Sequence, residues 1–545
     1  MKNRKYIFVI GGVMSGVGKG ITTSSIGTIL KARGFSVTAI KIDPYLNVDA
    51  GTMNPTEHGE VFVLESGLEC DQDMGNYERF MGVTLPSENY MTSGMVYQSV
   101  INRERNLGYG GKCVEAVPHL PQEIISRITK ASEKANADIT LIEIGGTIGE
   151  YQNLIFIEAA RMMKIKNPDS VAFVMVSYLP IPSKVGEMKT KPTQYAVRTL
   201  NSYGVQPDFI VARSERFLDQ KRKEKIAISC SVPERYVISA PDIDSIYEVP
   251  LNFERDDLSR LLLKKLELKP RTSDLRPWYN LIERVKGLKK RVRIGVVGKY
   301  FSTGEFVLSD SYISVIEAIK HAGYKVGVKP EIDWVNSELF EKEPEKLKEL
   351  KTYDGIIVPG GFGSRGIEGK IKVIEYCRKN KIPYLGLCYG MQLMVVEYAR
   401  HVLGFKDANT TEIDRHTKHP VIDIMPEQKK NLEDKNYGAT MRLGGYLEVV
   451  QKGTLAYEAY GKAKVVERHR HRWEVNPEYV DQLVKAGLVF SAKSPNKRLV
   501  EITELPKSKH PFFLGTQAHP EFTSAPLSPN PLFLKFMEAA KKHSK

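Results

Sequence analysis

The stretch Leu385–Gln392, LGLCYGMQ, constrains this chain more than any other. An apolar run, IPYLGL, stops at Cys388 and gives way at Gly390 to the helical periodicity of MQLMVVEYARHV. A cysteine on so sharp a strand-to-helix turn has its sulfur pushed clear of the backbone, and the helix N-terminus stabilises a thiolate there. Further along, Gln517-Ala518-His519-Pro520-Glu521 places an imidazole and a carboxylate two positions apart on one extended segment. Cys388, His519 and Glu521 thus supply a nucleophile, a base and an orienting acid. Upstream, Pro359-Gly360-Gly361-Phe362-Gly363 follows the apolar GIIV, and its backbone N–H groups can be aimed at an oxyanion. A lone cysteine is ordinarily a small packed hydrophobe. The glycine loop and the His/Glu pair together favour chemistry over packing.

These three pieces resemble a class I glutamine amidotransferase domain. The resemblance implies hydrolysis of glutamine and delivery of ammonia to a second active site, so the remainder of the chain is expected to consume ammonia. At 545 residues the chain exceeds one ordinary core and suits two domains. Up to Leu268, apolar strands (YIFVIGG, SVTAIKID, ADITLIEIGG, SVAFVMVSY, DFIVARS, RYVISA) alternate with helical periodicity, the pattern of a parallel sheet wound on both faces. Residues 269–291 change character, with prolines and surplus base, and read as a linker containing one short helix. A second α/β series runs through VRIGVVGKY, YDGIIVPGG, IPYLGLC and FFLGTQAHPEF. The expected architecture is α/β throughout: a phosphate-loop, doubly wound parallel-sheet synthetase domain over 1–268, the linker 269–291, and an α/β amidotransferase domain over 292–545.

The five cysteines are odd in number and scattered, which excludes a disulfide framework or a cysteine metal site and fits a reducing compartment. No apolar run approaches the roughly 18 residues of a membrane span, and the apolar core of MKNRKYIFVIGG is too short for a signal peptide. A cytoplasmic protein without a membrane partner is expected. The net charge of +14 and pI near 9.2 raise the question of nucleic acid. The lysines, however, are interleaved with acids, as in EKEPEKLKELK, with no aromatic-spaced basic stripe, so nucleic acid is not an expected partner and polyphosphate ligands suit the charge better.

The first strand runs into Gly11-Gly12-Val13-Met14-Ser15-Gly16-Val17-Gly18-Lys19-Gly20 and then a helix from about Ile21. Loop N–H groups and the helix N-terminus can cradle a phosphate, with Lys19 on the outer phosphates; the bland alternative is a tight turn. Spacing from Gly12 is one residue too long for the strict motif, and Gly20 stands where a Ser or Thr usually holds magnesium. Asp73, and Glu143 at the end of ITLIE, are the candidate magnesium ligands, unless each is simply an acid at a strand end.

KIDPYLNVDAGTMNPTEHGEVFV, IEIGGTIG, GEMKTKPTQ, KIAISCSVP, DIDSIY, VPGGFG, GLCYGMQ, GATMRLG, VERHRHRWEVN and HPEFTS, in this order, resemble the CTP synthase family over nearly the whole chain. The resemblance implies that ATP phosphorylates O4 of UTP and that glutamine-derived ammonia displaces the phosphate to give CTP. It also implies GTP as activator, CTP as inhibitor, Mg2+ as cofactor, and a homotetramer that can stack into filaments. It assigns ATP contacts to Gly16, Val17, Gly18, Lys19, Gly20, Ile21, Asp73, Asp242 and Ile243, and the metal to Asp73 and Glu143. UTP and CTP fall to Ser15, Glu150, Tyr151, Gln152, Lys189, Thr190, Lys191, Pro192, Thr193, Gln194 and Lys225. Glutamine falls to Gly361, Tyr389, Gly390, Met391, Gln392, Glu412 and Arg472, and His58 lies in a segment similar to the family's ammonia gate. His469 and His471 are expected to be structural.

The chain departs from the family where most members read Asp-Ile-Glu-Ser; here Glu150-Tyr151-Gln152-Asn153 stands, and neutral Gln152 predicts weakened CTP feedback, partly offset if Tyr151 stacks. Gly16 replaces a serine of the phosphate loop, and Ala525 a basic residue. Two other classes share some features: a cobyrinate amidase-like amidoligase, which leaves KTKPTQ and DIDSIY unexplained, and a nucleotide-sensing filament ATPase, which leaves intact Cys388, His519 and Glu521 unexplained.

Overall fold

A computed structural model of the chain describes residues 3–54, 58–184, 186–298, 302–303, 306–307, 309–361, 363–434 and 438–544. Its contacts divide it into two units, residues 1–49 with 73–282 and residues 50–72 with 283–545.

The first unit is built on a seven-stranded sheet in the order Tyr90–Thr92, Val37–Asp43, Ile139–Ile144, Lys5–Gly11, Val171–Tyr178, Phe209–Ser214, Val237–Pro241. Every pairing is parallel. Strands covered on both faces must be apolar on both, and Lys5–Gly11 is buried almost throughout. Phe8 stacks on Phe173 of the neighbouring strand with ring centroids 5.6 Å apart, in a core shared with Ile40 and Ile142. The sheet therefore presents the C-terminal end of its central strand, where the glycine loop begins, as the place for a ligand.

The second unit carries a nine-stranded sheet: Lys329–Asn336, Arg291–Gly298, Gly355–Val358, Tyr384–Leu387, Phe513–Thr516, Val500–Glu504, Val489–Lys493, Arg442–Val450, Lys464–His471. The first five are parallel, and the rest continue antiparallel. All four strands expected from the sequence are present. The antiparallel extension was not foreseen, because its strands alternate apolar with charged residues, as in KVVERHRH.

Two boundaries differ from those expected. Residues 269–282 pack with the first unit, and the helix Arg276–Lys286 buries Trp278, Leu281 and Ile282, so much of the expected linker is folded structure. Residues 50–72, expected within the synthetase half, pack with the second unit instead. Their hairpin, Val61–Val63 with Glu69–Asp71, is fully buried, and Phe62 meets Phe522 edge-on at 4.9 Å. No helix among the described residues is long and apolar enough to cross a membrane.

The turn between Tyr384–Leu387 and the helix Tyr389–His401 is packed backbone against backbone. A Cβ at Gly390 would lie 2.1 Å from the carbonyl oxygen of Val358, which a strand cannot move away. Gly390→Ala is therefore expected to destabilise the second unit by about 1–3 kcal/mol or more, read as a lowered melting temperature; an unchanged one would contradict this packing.

Candidate active site

Cys388 occupies the turn in a conformation few non-glycine residues adopt, φ 49° and ψ −100°, at the N-cap of the helix Tyr389–His401. Its N–H donates to the carbonyl of Thr516 at 2.7 Å, tying the turn to the next strand. Its Sγ lies 3.8 Å from the carbonyl oxygen of Arg470 and 3.6 Å from the Gln517 amide nitrogen. His519 reaches this sulfur from the end of strand Phe513–Thr516. Its Nδ1 is 2.7 Å from Glu521 Oε1, and its ring stacks on Phe522 at 5.2 Å. Burial opposes a charge on His519, but the Glu521 carboxylate and the Cys388 sulfur outweigh it and raise the imidazolium to about 10. The structure thus favours an imidazolium beside the Cys388 sulfur, oriented by a buried carboxylate.

Gly360 is set against this pair: a Cβ there would fall 2.8 Å from His519 Cε1 and 3.7 Å from Cys388 Cβ. Only a glycine lets the loop backbone come so near the His519 ring and the Cys388 Cβ, as an oxyanion contact requires. Phe362 of the same loop lies outside the described residues. Gly360, Gly361, Cys388, Arg470, Arg472 and His519 line a cavity of about 310 Å3, and Gly51, Thr52, Met53, Glu60 and Val61 of the inserted segment form another wall. Glu60 accepts from the N–H of Ser314, Glu69 pairs with Arg470 at 2.8 Å, and Arg468 donates to the Val63 carbonyl at 3.0 Å.

Of the residues expected at glutamine, Gly361 and Arg472 line this cavity. Arg472 is buried and donates to Gln428 and, at 2.8 Å, to Thr440. Glu412 accepts from the N–H of Gly363 at 2.8 Å, and Tyr389 donates to the carbonyl of Gly363 at 3.2 Å. Gln392 is tied to the Trp473 carbonyl at 2.9 Å, and Gly390 and Met391 are buried in the helix. His58, half-buried, has Nδ1 3.6 Å from Asp71, inside the inserted segment. His469 and His471 are buried on the face of their strand opposite the arginines, and burial pushes both well below the usual histidine range, so both are neutral.

In the first unit the glycine loop turns through positive φ at Gly16 (68°) and Gly18 (83°), and Lys19 opens the helix Lys19–Ala32. Lys19 Nζ donates to the Gly146 carbonyl at 2.8 Å, and burial lowers its pKa. A Cβ at Gly20 would fall 1.9 Å from Asp73 Oδ1. The missing hydroxyl is thereby explained, because an acid from another helix fills the space that a side chain at position 20 would need. Asp73 and Glu143 converge on one cation, the Lys41 ammonium: Asp73 by a short ion pair, Glu143 at 3.1 Å, with Asp43 at 3.8 Å. Burial would raise the Asp73 carboxyl, but Lys41 holds it down; burial raises Glu143 and Asp43. Two carboxylates that already share a cation, with hard oxygen donors, are a fitting pair for Mg2+.

Beside the loop, Gly18, Ile21, Asp242 and Ile243 line a cavity of about 230 Å3, together with Arg213, Ala240 and Phe253. Arg213 pairs with Asp242 at 2.8 Å. Ser15 is exposed and Val17 buried in the loop. Glu150 accepts from the Thr147 N–H at 2.7 Å, the Thr147 hydroxyl at 2.6 Å and the Gln152 amide at 2.7 Å. Tyr151 is 92% exposed, so the stacking envisaged for it is not realised within this chain. Lys191 and Pro192 begin the helix Lys191–Ser202, Thr193 meets the Ser177 hydroxyl at 2.9 Å, and Gln194 donates to Thr190 at 3.0 Å. Lys189 pairs with Glu187 at 2.7 Å, and Lys225, exposed, acts on the same carboxylate.

Sequence reasoning missed Lys41, Asp43, Arg213, Arg470 and Gln517. Lys41 and Asp43 alternate on the end of a strand otherwise read as apolar, a signal that was present in AIKID. Likewise RHRHR alternates with strand period, which puts its arginines on one face and its histidines on the other.

Comparison with known proteins agrees with this arrangement. Residues 5–268 match the family model "CTP synthase N-terminus", and residues 307–539 match "Glutamine amidotransferase class-I". The CTP synthase of Pyrococcus abyssi is 52% identical over 99% of this chain and 98% of its own length, and that of Pyrococcus furiosus is 51% identical over the same shares. A solved Trypanosoma brucei CTPS glutaminase domain with bound acivicin is 41% identical, covering 46% of this chain and 94% of that one, with a TM-score of 0.42. Near-complete coverage at such identity, together with both family models, establishes that this chain belongs to the CTP synthase family.

Proposed function

We propose that this chain makes CTP from UTP, ATP and ammonia, and obtains the ammonia by hydrolysing glutamine at Cys388. The observation that carries the reading is the buried His519–Glu521 pair facing Cys388, in a chain whose other unit sets Lys19, Asp73 and Glu143 around a glycine loop. In the first reaction the Cys388 sulfur attacks the carboxamide carbon of glutamine. His519 gives a proton to the departing ammonia, leaving a glutamyl thioester, and then takes one from the water that releases glutamate. The backbone around Gly360 and Gly361 faces the charge that develops on the carbonyl oxygen. Arg472 suits the glutamine α-carboxylate and Glu412 its ammonium.

In the second reaction O4 of UTP, a poor leaving group as it stands, attacks the terminal phosphorus of ATP and ADP departs. Ammonia adds at C4 and phosphate leaves, giving CTP. Lys19 neutralises phosphate charge, the cavity at Asp242 and Ile243 holds the base of ATP, and Lys189, Lys191 and Lys225 anchor the UTP triphosphate. Magnesium held by Asp73 and Glu143 would screen the phosphate oxygens during transfer. GTP as activator, CTP as inhibitor at the UTP triphosphate site, a homotetrameric assembly that can stack into filaments, and a gating role for His58 complete the proposal.

Cys388→Ala is expected to abolish CTP formation from glutamine while leaving formation from ammonium salts within about twofold, because the thiol acts only in releasing ammonia. An equal loss with both nitrogen sources would refute the separation of the two chemistries. Lys19→Ala and Asp73→Asn are each expected to remove activity with either source by a factor of about 100 or more; retained turnover with ammonium would exclude the residue from the phosphate site. Gln152 is exposed and donates to the half-buried Glu150, so its effect on feedback is small. Gln152→Glu is expected to shift the half-inhibiting CTP concentration by about fivefold or less, the ~1 kcal/mol of a wet contact. A shift of tens of times would mean that CTP buries this residue.

A further inference from the structure

Behind the strand that carries Arg468 and Arg470 lies a second cluster that the chemistry above does not use. Glu448, His469 and Glu501 come from three different strands of the second unit, and each is 0% exposed. Arg442 binds Glu501 at 2.7 Å and Glu474 at 3.0 Å. Three buried carboxylates against one guanidinium leave a formal charge of −2, which a protein interior does not hold unless protons or a cation balance it.

The histidines indicate which. His471 Nδ1 is 3.1 Å from the Trp473 carbonyl, which can only accept, so Nδ1 carries the proton. His469 Nδ1 lies 3.1 Å from His471 Nε2, so the two rings are hydrogen-bonded to each other. His469 Nε2 faces Glu448 Oε1 at 3.4 Å and Glu501 Oε2 at 3.8 Å. Among the described residues neither that nitrogen nor either oxygen of Glu448 has a hydrogen-bond partner. Both separations are long for an N–H or O–H hydrogen bond, so a proton on either side does not bridge these atoms, whereas a cation between them would. Donor atoms 2.0–2.2 Å from a zinc ion stand ~3.3–3.6 Å apart in a tetrahedral shell, close to what is found.

We propose that Glu448, His469 and Glu501 form a structural site for a zinc-class divalent cation inside the amidotransferase unit. The donor atoms lie within 4.8 Å of one another, the ion cancels the formal −2, and imidazole with carboxylates suits zinc. The chain His469–His471–Trp473 holds the ligand ring from behind, and Arg442 holds Glu501, the outer support that metal ligands require. The ion would pin the strand whose other face carries Arg470 beside Cys388.

Full-length protein produced with added zinc and then exchanged through EDTA is assayed by plasma mass spectrometry and zinc X-ray absorption. About one zinc per chain is expected to remain, with nitrogen and oxygen neighbours and no sulfur, which separates this site from capture by exposed Cys113 or by Cys388. Glu448→Gln, nearly isosteric, is expected to lower the retained zinc at least about tenfold. His401→Gln, in the more exposed Glu375, Glu397 and His401 group, leaves it unchanged. A parent protein that keeps no zinc, sulfur in its coordination shell, or full retention in Glu448→Gln overturns the proposal. The absorption spectrum of the parent decides the matter even if the variant fails to fold.

Discussion

The amidotransferase chemistry depends on one strained turn. Cys388 at φ 49° and ψ −100° costs about 1–3 kcal/mol that an unconstrained chain would release by relaxing. What prevents relaxation is close backbone contact on every side. Gly390 lies against the Val358 carbonyl, Gly386 against Gly390, Gly515 against Met391, and the Cys388 N–H is bonded to Thr516. With the backbone fixed, the sulfur can point only into the cavity, where His519 and the Gly360 loop meet it. Removing any of these contacts would affect the chemistry through the angle at which the sulfur is presented.

The glycine loop of the first unit rests on a comparable exchange of space for charge. Gly20 gives up its side chain so that the Asp73 carboxylate can lie against the first turn of the helix, and Lys41 gathers Asp73, Glu143 and Asp43. A buried lysine among three acids keeps those oxygens oriented toward positive charge before a nucleotide binds. Tyr77 on Glu143 and the hydroxyls of Tyr45 and Tyr90 on Asp43 fix the remaining lone pairs. Such a cluster is preorganised for a metal–phosphate ligand, because exchanging one cation for another requires little movement.

Strands with continuous apolar runs were legible in the sequence, and Glu143, Cys388 and His519 sit where such runs stop, while Lys19 opens the helix after the glycine loop. The three-residue strand Tyr90–Thr92 and the charged antiparallel strands were not, since pairing rather than local pattern creates them. Residues 50–72 could not be assigned from sequence either. Their attachment to the second unit depends on Glu60 reaching Ser314 and Glu69 reaching Arg470, partners hundreds of positions away. Arg213 escaped notice for the same reason: its partner Asp242 lies on another strand end. The role of Gly20 was visible only as a missing hydroxyl, and the reason for it lies in Asp73.

In the proposed function one chain converts O4 of UTP into a phosphate leaving group and replaces it with the amide nitrogen of glutamine. The direct measurement is mass spectrometry of the products from purified protein given UTP labelled with 18O at O4, glutamine labelled with 15N in its amide, ATP and magnesium. CTP carrying 15N at the exocyclic amine and inorganic phosphate carrying the 18O are expected. Absence of CTP, or 15N-labelled CTP with unlabelled phosphate, would contradict it.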